Sequence, residues 1–299
     1  MRRRLSSGMT LVELLVAMAV LGIILTVAYS AMVSSLRVQT DQEAITTSQA
    51  KLRRVVEVIT QDLRSAVFGS ITNQPFASND RQISFALIAG GAGYQVLPHD
   101  SGNNNSFRTA NNVQIIATVA NAAELNLEGR QAMMVNANRR AVIVNVGNVT
   151  RRGGPGSVEW NVVHPGCANT IDYTPNTLLF RIDSLGLRYD AATRTLWQRR
   201  GATEVPLAFD ISDFRLEYVY QDPAGITELR TTPHLSPTGQ PVRQFTRPDG
   251  VVLQLVRLQV TISAAAPSQG RVIERSFTGQ VELHGGHQSF GVDEVVPCN

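Results

Sequence analysis

The sequence predicts an α+β protein in which a long N-terminal helix carries a β-rich head on its outer half. Three observations lead there. Residues Leu14 to Val33 are 20 consecutive positions without a charge. Beyond them Ile45, Leu52, Val56, Ile59, Leu63 and Ala66 recur at spacings of 7, 4, 3, 4 and 3, the apolar stripe of an amphipathic helix. After Ile71 the pattern changes to short segments of period two, as half-buried strands require. With 43% hydrophobic and 17% charged residues in 299, the composition is that of a folding chain rather than a disordered one.

The uncharged run covers about 30 Å as a helix, the thickness of a bilayer core. Arg2, Arg3 and Arg4 precede it, and by the positive-inside tendency they hold the N-terminus in the cytoplasm and send everything after Val33 to the outer side. These three arginines also account for the whole net charge of +3, so a general nucleic-acid-binding reading loses its main support. A cleavable signal peptide would use the same arginines, an apolar region from Leu14 to Val27, and a small-residue site at Ala28-Tyr29-Ser30 before Ala31. Glu13 argues against it, because an ionised carboxylate is among the costliest groups to draw into a bilayer and a signal peptide needs none.

The stretch Gly8-Met9-Thr10-Leu11-Val12-Glu13-Leu14-Leu15-Val16-Ala17 resembles the N-terminus of type IV prepilins and type II secretion pseudopilins. The resemblance implies a leader at residues 1–8 that a prepilin peptidase removes after Gly8. Met9 becomes the new, N-methylated first residue, and Glu13 is the family's fifth-position glutamate. It also implies assembly with other minor and major pilins or pseudopilins on an inner-membrane platform. In the family this glutamate pairs with the N-terminal amine of a neighbouring subunit inside an apolar fibre core. Two features depart from the usual pattern: Met9 stands where Phe is commonest, and no proline occurs before Pro75. The membrane half is therefore expected to be unkinked unless Gly22 bends it.

The implied organisation is leader 1–8, a membrane or fibre-core helix half at 9–36, an amphipathic half at 37–68 and a β-rich head at 69–299. The helix is expected to run from about Met9 to Val67, roughly 59 residues and about 90 Å, with Gly69 as its stop. In the head, Ile83, Phe85 and Leu87 alternate, as do Val158, Trp160 and Val162, and Phe214, Leu216, Tyr218 and Tyr220. Leu185 to Tyr189 and Thr195 to Arg199 flank Asp190-Ala191-Ala192-Thr193 as a hairpin. Leu253 and Leu255 are followed by Leu258, Val260 and Ile262, a change of phase that a β-bulge or a strand buried on both faces explains. Polar loops are expected from Pro98 to Asn112 and at Gly153-Gly154-Pro155-Gly156, and a long excursion from Pro223 to Asp249. Leu187-Arg188-Tyr189, Pro206-Leu207-Ala208 and Phe214-Arg215-Leu216-Glu217-Tyr218 are similar to large PilW-type minor pilins and J-type pseudopilins, a weaker likeness than the N-terminal one.

No Ser-His-Asp, paired-carboxylate or phosphate-loop arrangement is present, so the chain is read as a non-enzyme without a cofactor. Gly90-Gly91-Ala92-Gly93 lacks the Lys-Ser or Lys-Thr of a phosphate loop and reads as a turn, while His284-Gly285-Gly286-His287 offers two histidines without further ligands nearby. Cys167 and Cys298 allow one disulfide, pinning the C-terminal tail to a mid-chain loop, or two free thiols. The pairs Arg139-Arg140, Arg151-Arg152 and Arg199-Arg200 raise DNA capture in natural transformation. Lys51 is the only lysine, however, so arginine is simply the default cation here, and solvated strand edges account for the pairs.

Overall fold

Helix α1 (Leu11–Arg64) is a single uninterrupted run of 54 residues across Gly22, about 80 Å long at the standard rise. The computed structural model describes residues 10–90, 93–97, 111–165, 171, 173–268, 271–283, 292–296 and 298. Leu52, Val56, Ile59 and Leu63 of the sequence stripe are buried as expected, joined by Val55 and Ser48, whereas Ile45 is only half-buried. The helix ends one turn before the expected Val67. Ser65 caps it, its N–H donating to Gln61 O and Asp62 O at 3.1 Å each, and Ala66 already pairs with Leu87 in the sheet. Val67, Phe68, Ile71 and Thr72 are strand-favouring residue types, and the ladder they join outweighs another turn of helix. Gly69 therefore lies within a strand and is not a helix stop.

The strands are β1 (Ala66–Thr72), β2 (Gln82–Ile88), β3 (Tyr94–Val96) and β4 (Asn112–Ile116), then, after a single turn of helix α2 (Ala122–Leu125), β5 (Gln131–Val135), β6 (Arg140–Asn145), β7 (Asn148–Arg151) and β8 (Glu159–Val163). They continue as β9 (Leu178–Asp190), β10 (Thr195–Arg200), β11 (Thr203–Ala208), β12 (Ile211–Gln221), β13 (Thr227–Arg230), β14 (Gln244–Thr246), β15 (Val252–Ser268), β16 (Arg271–Glu282) and β17 (Glu294–Val296). A 12-stranded sheet turns on β9: its first half pairs with β3 and β5, its second half with β2 and β10. A 5-stranded sheet is built on β15, flanked by β12 on one side and by β14 and β16 on the other, with β13 beyond β12.

The β9–β10 hairpin forms with Tyr189 opposite Leu196, and its loop is held by Asp190 Oδ1, which accepts from Ala192 N at 3.0 Å. In β12 the four alternating residues are fully buried. The phase change in β15 is a bulge: Val219 faces Arg257 and Tyr220 faces Leu255, so Val256 has no opposite number. The two residues between Leu255 and Leu258 thus keep Leu253, Leu255, Leu258, Val260 and Ile262 on one face, in one core. Val158 lies just outside β8 and is exposed. The Pro223–Asp249 excursion contains β13 and β14, and Gly153 and Gly156 turn the chain between β7 and β8 at φ +83° and +90°.

The largest core lies where α1, the inner face of the smaller sheet and the β2–β9–β10 part of the larger sheet meet. A second core, around Ile115, Met134, Val142 and Trp160, fills the far part of the larger sheet. Trp160 donates its indole N–H to Ala117 O at 3.0 Å, so its burial leaves no polar group unpaired. Of the glycine-rich turn, Gly91 and Ala92 lie outside the described residues, as does most of the Pro98–Asn112 loop.

Candidate functional site

The start of α1 is built by Thr10 and Glu13. Thr10 takes an extended backbone at the N-cap, and its hydroxyl accepts from Glu13 N at 3.3 Å. In return Glu13 Oε2 accepts from Thr10 N at 2.9 Å and from the Thr10 hydroxyl at 3.0 Å. This reciprocal pair satisfies two of the N–H groups that a helix start leaves open, and it sets a carboxylate at the positive end of the helix dipole. Glu13 Oε1 has no partner among the described residues. The capping role of Thr10 escaped the sequence reading, although Thr-x-x-Glu directly before an apolar run is its signature. Gly8 and Met9, the expected processing site, lie outside the described residues.

From Leu11 to Leu36 the helix carries its large apolar side chains in the open apart from half-buried Val33, with Leu11 at 78% exposure and Ile23 at 65%. The helix is long and apolar enough to cross a membrane, with a mean hydropathy of 2.6 over its best window and none of that window buried. Its few polar side chains cost little in lipid. Thr26 Oγ1 donates to Gly22 O and Ser30 Oγ to Val27 O, both at 2.8 Å, so each hydroxyl is satisfied within its own helix. The expected single-pass anchor thus has both the length and the internal hydrogen bonding it needs.

The arginine pairs raised for DNA capture are engaged within the protein. Arg139 pairs with Asp293 at 2.9 Å, Arg140 with Glu294 at 3.4 Å and Arg200 with Asp183 at 3.9 Å. Arg151 donates to Ser157 O and Val119 O at 3.0 Å while its guanidinium lies 4.5 Å from the centre of the Trp160 ring. Arg152 contacts Gln114 and Glu159, and Arg199 donates to Gly201 O at 3.2 Å. Cys298 is half-buried at the rim of the second core and carries no free thiol, whereas Cys167 lies outside the described residues, as do His284 and His287.

Within the excursion, His234 stacks on Phe245 with ring centres 4.0 Å apart, meets Tyr220 edge-on and sets Nε2 3.2 Å from Glu228 Oε1. Burial pushes its pKa below the ordinary value; Arg230 adds to this and Glu228 opposes it.

No curated protein and no solved structure matches the chain. A family model does match at residues 3–29, the one described as the prokaryotic N-terminal methylation motif, and it spans Arg3, Arg4, Gly8, Met9, Thr10 and Glu13. That motif implies processing by a prepilin peptidase, and with it on a membrane-capable helix below a β-rich head, this is a type IV pilin- or pseudopilin-like protein.

Proposed function

We propose that the protein is a minor type IV pilin, a structural subunit that helps initiate or cap a pilus after cleavage between Gly8 and Met9. The observation that carries this is the uncovered apolar half of α1, beginning at a capped carboxylate inside the methylation motif. Water does not favour so much apolar surface, so lipid covers it first and the helices of other subunits cover it in a fibre. In that fibre core Glu13 pairs with the amine of a neighbouring Met9. A low dielectric strengthens the pair and penalises a carboxylate left alone, which makes the contact a check on register. Methylation of the amine keeps its charge.

The role proposed is assembly without catalysis, with the head on the outer side of the inner membrane before it enters a fibre. The size of the head, residues 69–299, favours a minor subunit over a major one. The weaker likeness to J-type pseudopilins keeps type II secretion as the second reading, and co-purification with minor pilins or with secretion components separates the two. Direct DNA capture is disfavoured by the internal partners of all three arginine pairs. The deciding experiment is the N-terminal sequence and intact mass of the protein from its native membrane. A chain starting at methylated Met9 is expected; one starting at Met1 or Ala31 overturns the proposal.

A further inference from the structure

We infer that β16 is a docking edge, to which the head of a neighbouring fibre subunit adds a strand that runs toward the membrane. This rests on the fibre reading of α1 and names a contact between heads within it.

Among the described residues β16 is the one long open edge. The edge strands β7, β13, β14 and β17 have three or four residues each, and β11 is interrupted by Pro206. β1 is covered, with Ser70, Ile71 and Thr72 buried. The free half of β12 is closed by Leu216 N donating to Asp80 O at 2.8 Å and Ile211 N to Arg194 O at 2.9 Å. β16 instead runs for 12 residues, paired with β15 alone and without a register shift. It has none of the devices that blunt an edge: no proline, no lysine, no bulge, and an uncharged run from Ser276 to Val281.

The ladder decides which groups this edge offers. Leu283 N donates to Val256 O, one pair beyond Glu282 and Arg257. By the alternation of an antiparallel pair, Val281, Gly279, Phe277 and Arg275 exchange bonds with β15, while Gln280, Thr278 and Ser276 point N–H and C=O outward. All three are exposed. Phe277 shares the face of Gly279, which meets α1 at Val56 and Thr60, yet it is still 36% exposed. An added strand completes the cover of this ring, and a half-covered aromatic side chain at an edge is an anchor for a partner. Around α1 the positions beyond Thr60 are Arg53 and Glu57, an exposed ion pair at 2.9 Å whose stems floor the same strand.

Direction and place identify the occupant. Lys51 of α1 donates to Phe209 O; two residues on, Ile211 pairs with Ala264, and Ala264 with Arg275. Arg275 thus lies nearer the membrane than Gly279, and β16 climbs away from the bilayer. β12 also climbs, because both strands are antiparallel to β15, and β13, antiparallel to β12, descends at the opposite edge of the sheet. Heads of this build standing side by side in one orientation therefore set a descending strand against an ascending one, as an antiparallel pair requires. The helices that cover the apolar half of α1 carry their own heads up beside it. Because β16 lies directly against α1, its edge is continuous with that interface. Such a contact is head-to-tail and does not close on itself, which suits a fibre.

The test uses the full-length protein in its native cells. The photo-cross-linker p-benzoylphenylalanine is placed at Ser276, or at exposed Thr150 of β7 for comparison, and sheared fibres are irradiated. The expected result is an adduct, much stronger from position 276, that joins the chain to a strand in the head of a subunit which itself begins at a methylated residue. Ser276→Pro removes one outward N–H and leaves the bonds to β15 in place. It should be processed and keep its melting temperature yet be lost from fibres, while Ser276→Ala is retained. No adduct from fibres that contain the chain overturns the edge contact and leaves the fibre reading standing. Equal adducts from both positions, an adduct only with a protein that lacks the methylation motif, or normal retention of Ser276→Pro overturn it as well. An unsubstituted chain that is absent from fibres removes the fibre reading, and this contact with it.

Discussion

Thr10 decides how Glu13 is presented. In the isolated subunit its hydroxyl and N–H hold one carboxylate oxygen, leaving the other for a partner. Glu13→Ala is expected to permit insertion and leader cleavage yet to block incorporation into the fibre, scored by its absence from sheared pili; normal incorporation would sink the register role. Thr10→Ser, which keeps the cap, should assemble better than Thr10→Ala, which removes it. Another residue whose state matters is His234. Because burial lowers its folded-state pKa, the neutral ring is the form the fold favours. Its contribution is full above the unfolded value of about 6.5 and is lost as pH falls below it toward the folded pKa. The melting temperature of the natural chain should therefore drop more between pH about 7.5 and 5 than that of His234→Gln, which carries no titrating ring. Equal slopes would assign the acid sensitivity to other groups.

At the scale of elements, the head is held to α1 by close approach of helix to strand at Gly279. Gly279→Val forces the helix away from Val56 and should cost about 1–3 kcal/mol in a denaturant melt. Adding Val56→Ala should return part of that loss if the clash is the cause, so the double variant is the informative measurement. This contact depends on two residues more than two hundred positions apart, and no local pattern announces it. What could be read locally was read: the Leu52–Leu63 stripe, the alternation of β12, the β9–β10 hairpin and the phase change at Leu255–Leu258 each follow from one segment's own periodicity. The helix end was misjudged because Ala66 and Ile71 gain a ladder with β2, a tertiary gain that overrides the helical spacing reaching Ala66. The order of the larger sheet was likewise illegible, since β9 serves four partners and the only part of it that the sequence marked, Leu185 to Tyr189, announces its hairpin with β10 and none of the others. Of the site, Gly8, Met9 and Glu13 were legible as a motif of fixed spacing, while Thr10 was passed over although its signal was present.

The whole molecule is closed by its last residues. Asp293 N donates to Arg139 O and Asp293 O accepts from Arg243 N, both at 2.8 Å, and β17 then pairs in parallel with β6. The tail thus ties the larger sheet to the segment that leads into β14. Burial raises the pKa of the Asp293 carboxyl, with Arg139 and Arg243 pulling against it, so this knot is sealed by charges that are partly withdrawn from water. Cys298 follows two residues after Val296 and is expected to pair with Cys167. A bridge closing a loop of that length restricts the unfolded chain by up to about 5 kcal/mol, and reduction is expected to lower the stability of the head by about 2–5 kcal/mol. The bond also depends on compartment. On the proposed topology Arg2 to Arg4 hold the N-terminus in the cytoplasm and the head reaches the oxidising side, where a disulfide forms and persists. Alkylation of the denatured chain without reductant, followed by intact mass, reads the bridge: an unmodified chain is expected, whereas two added alkyl groups remove the bridge and the stability assigned to it.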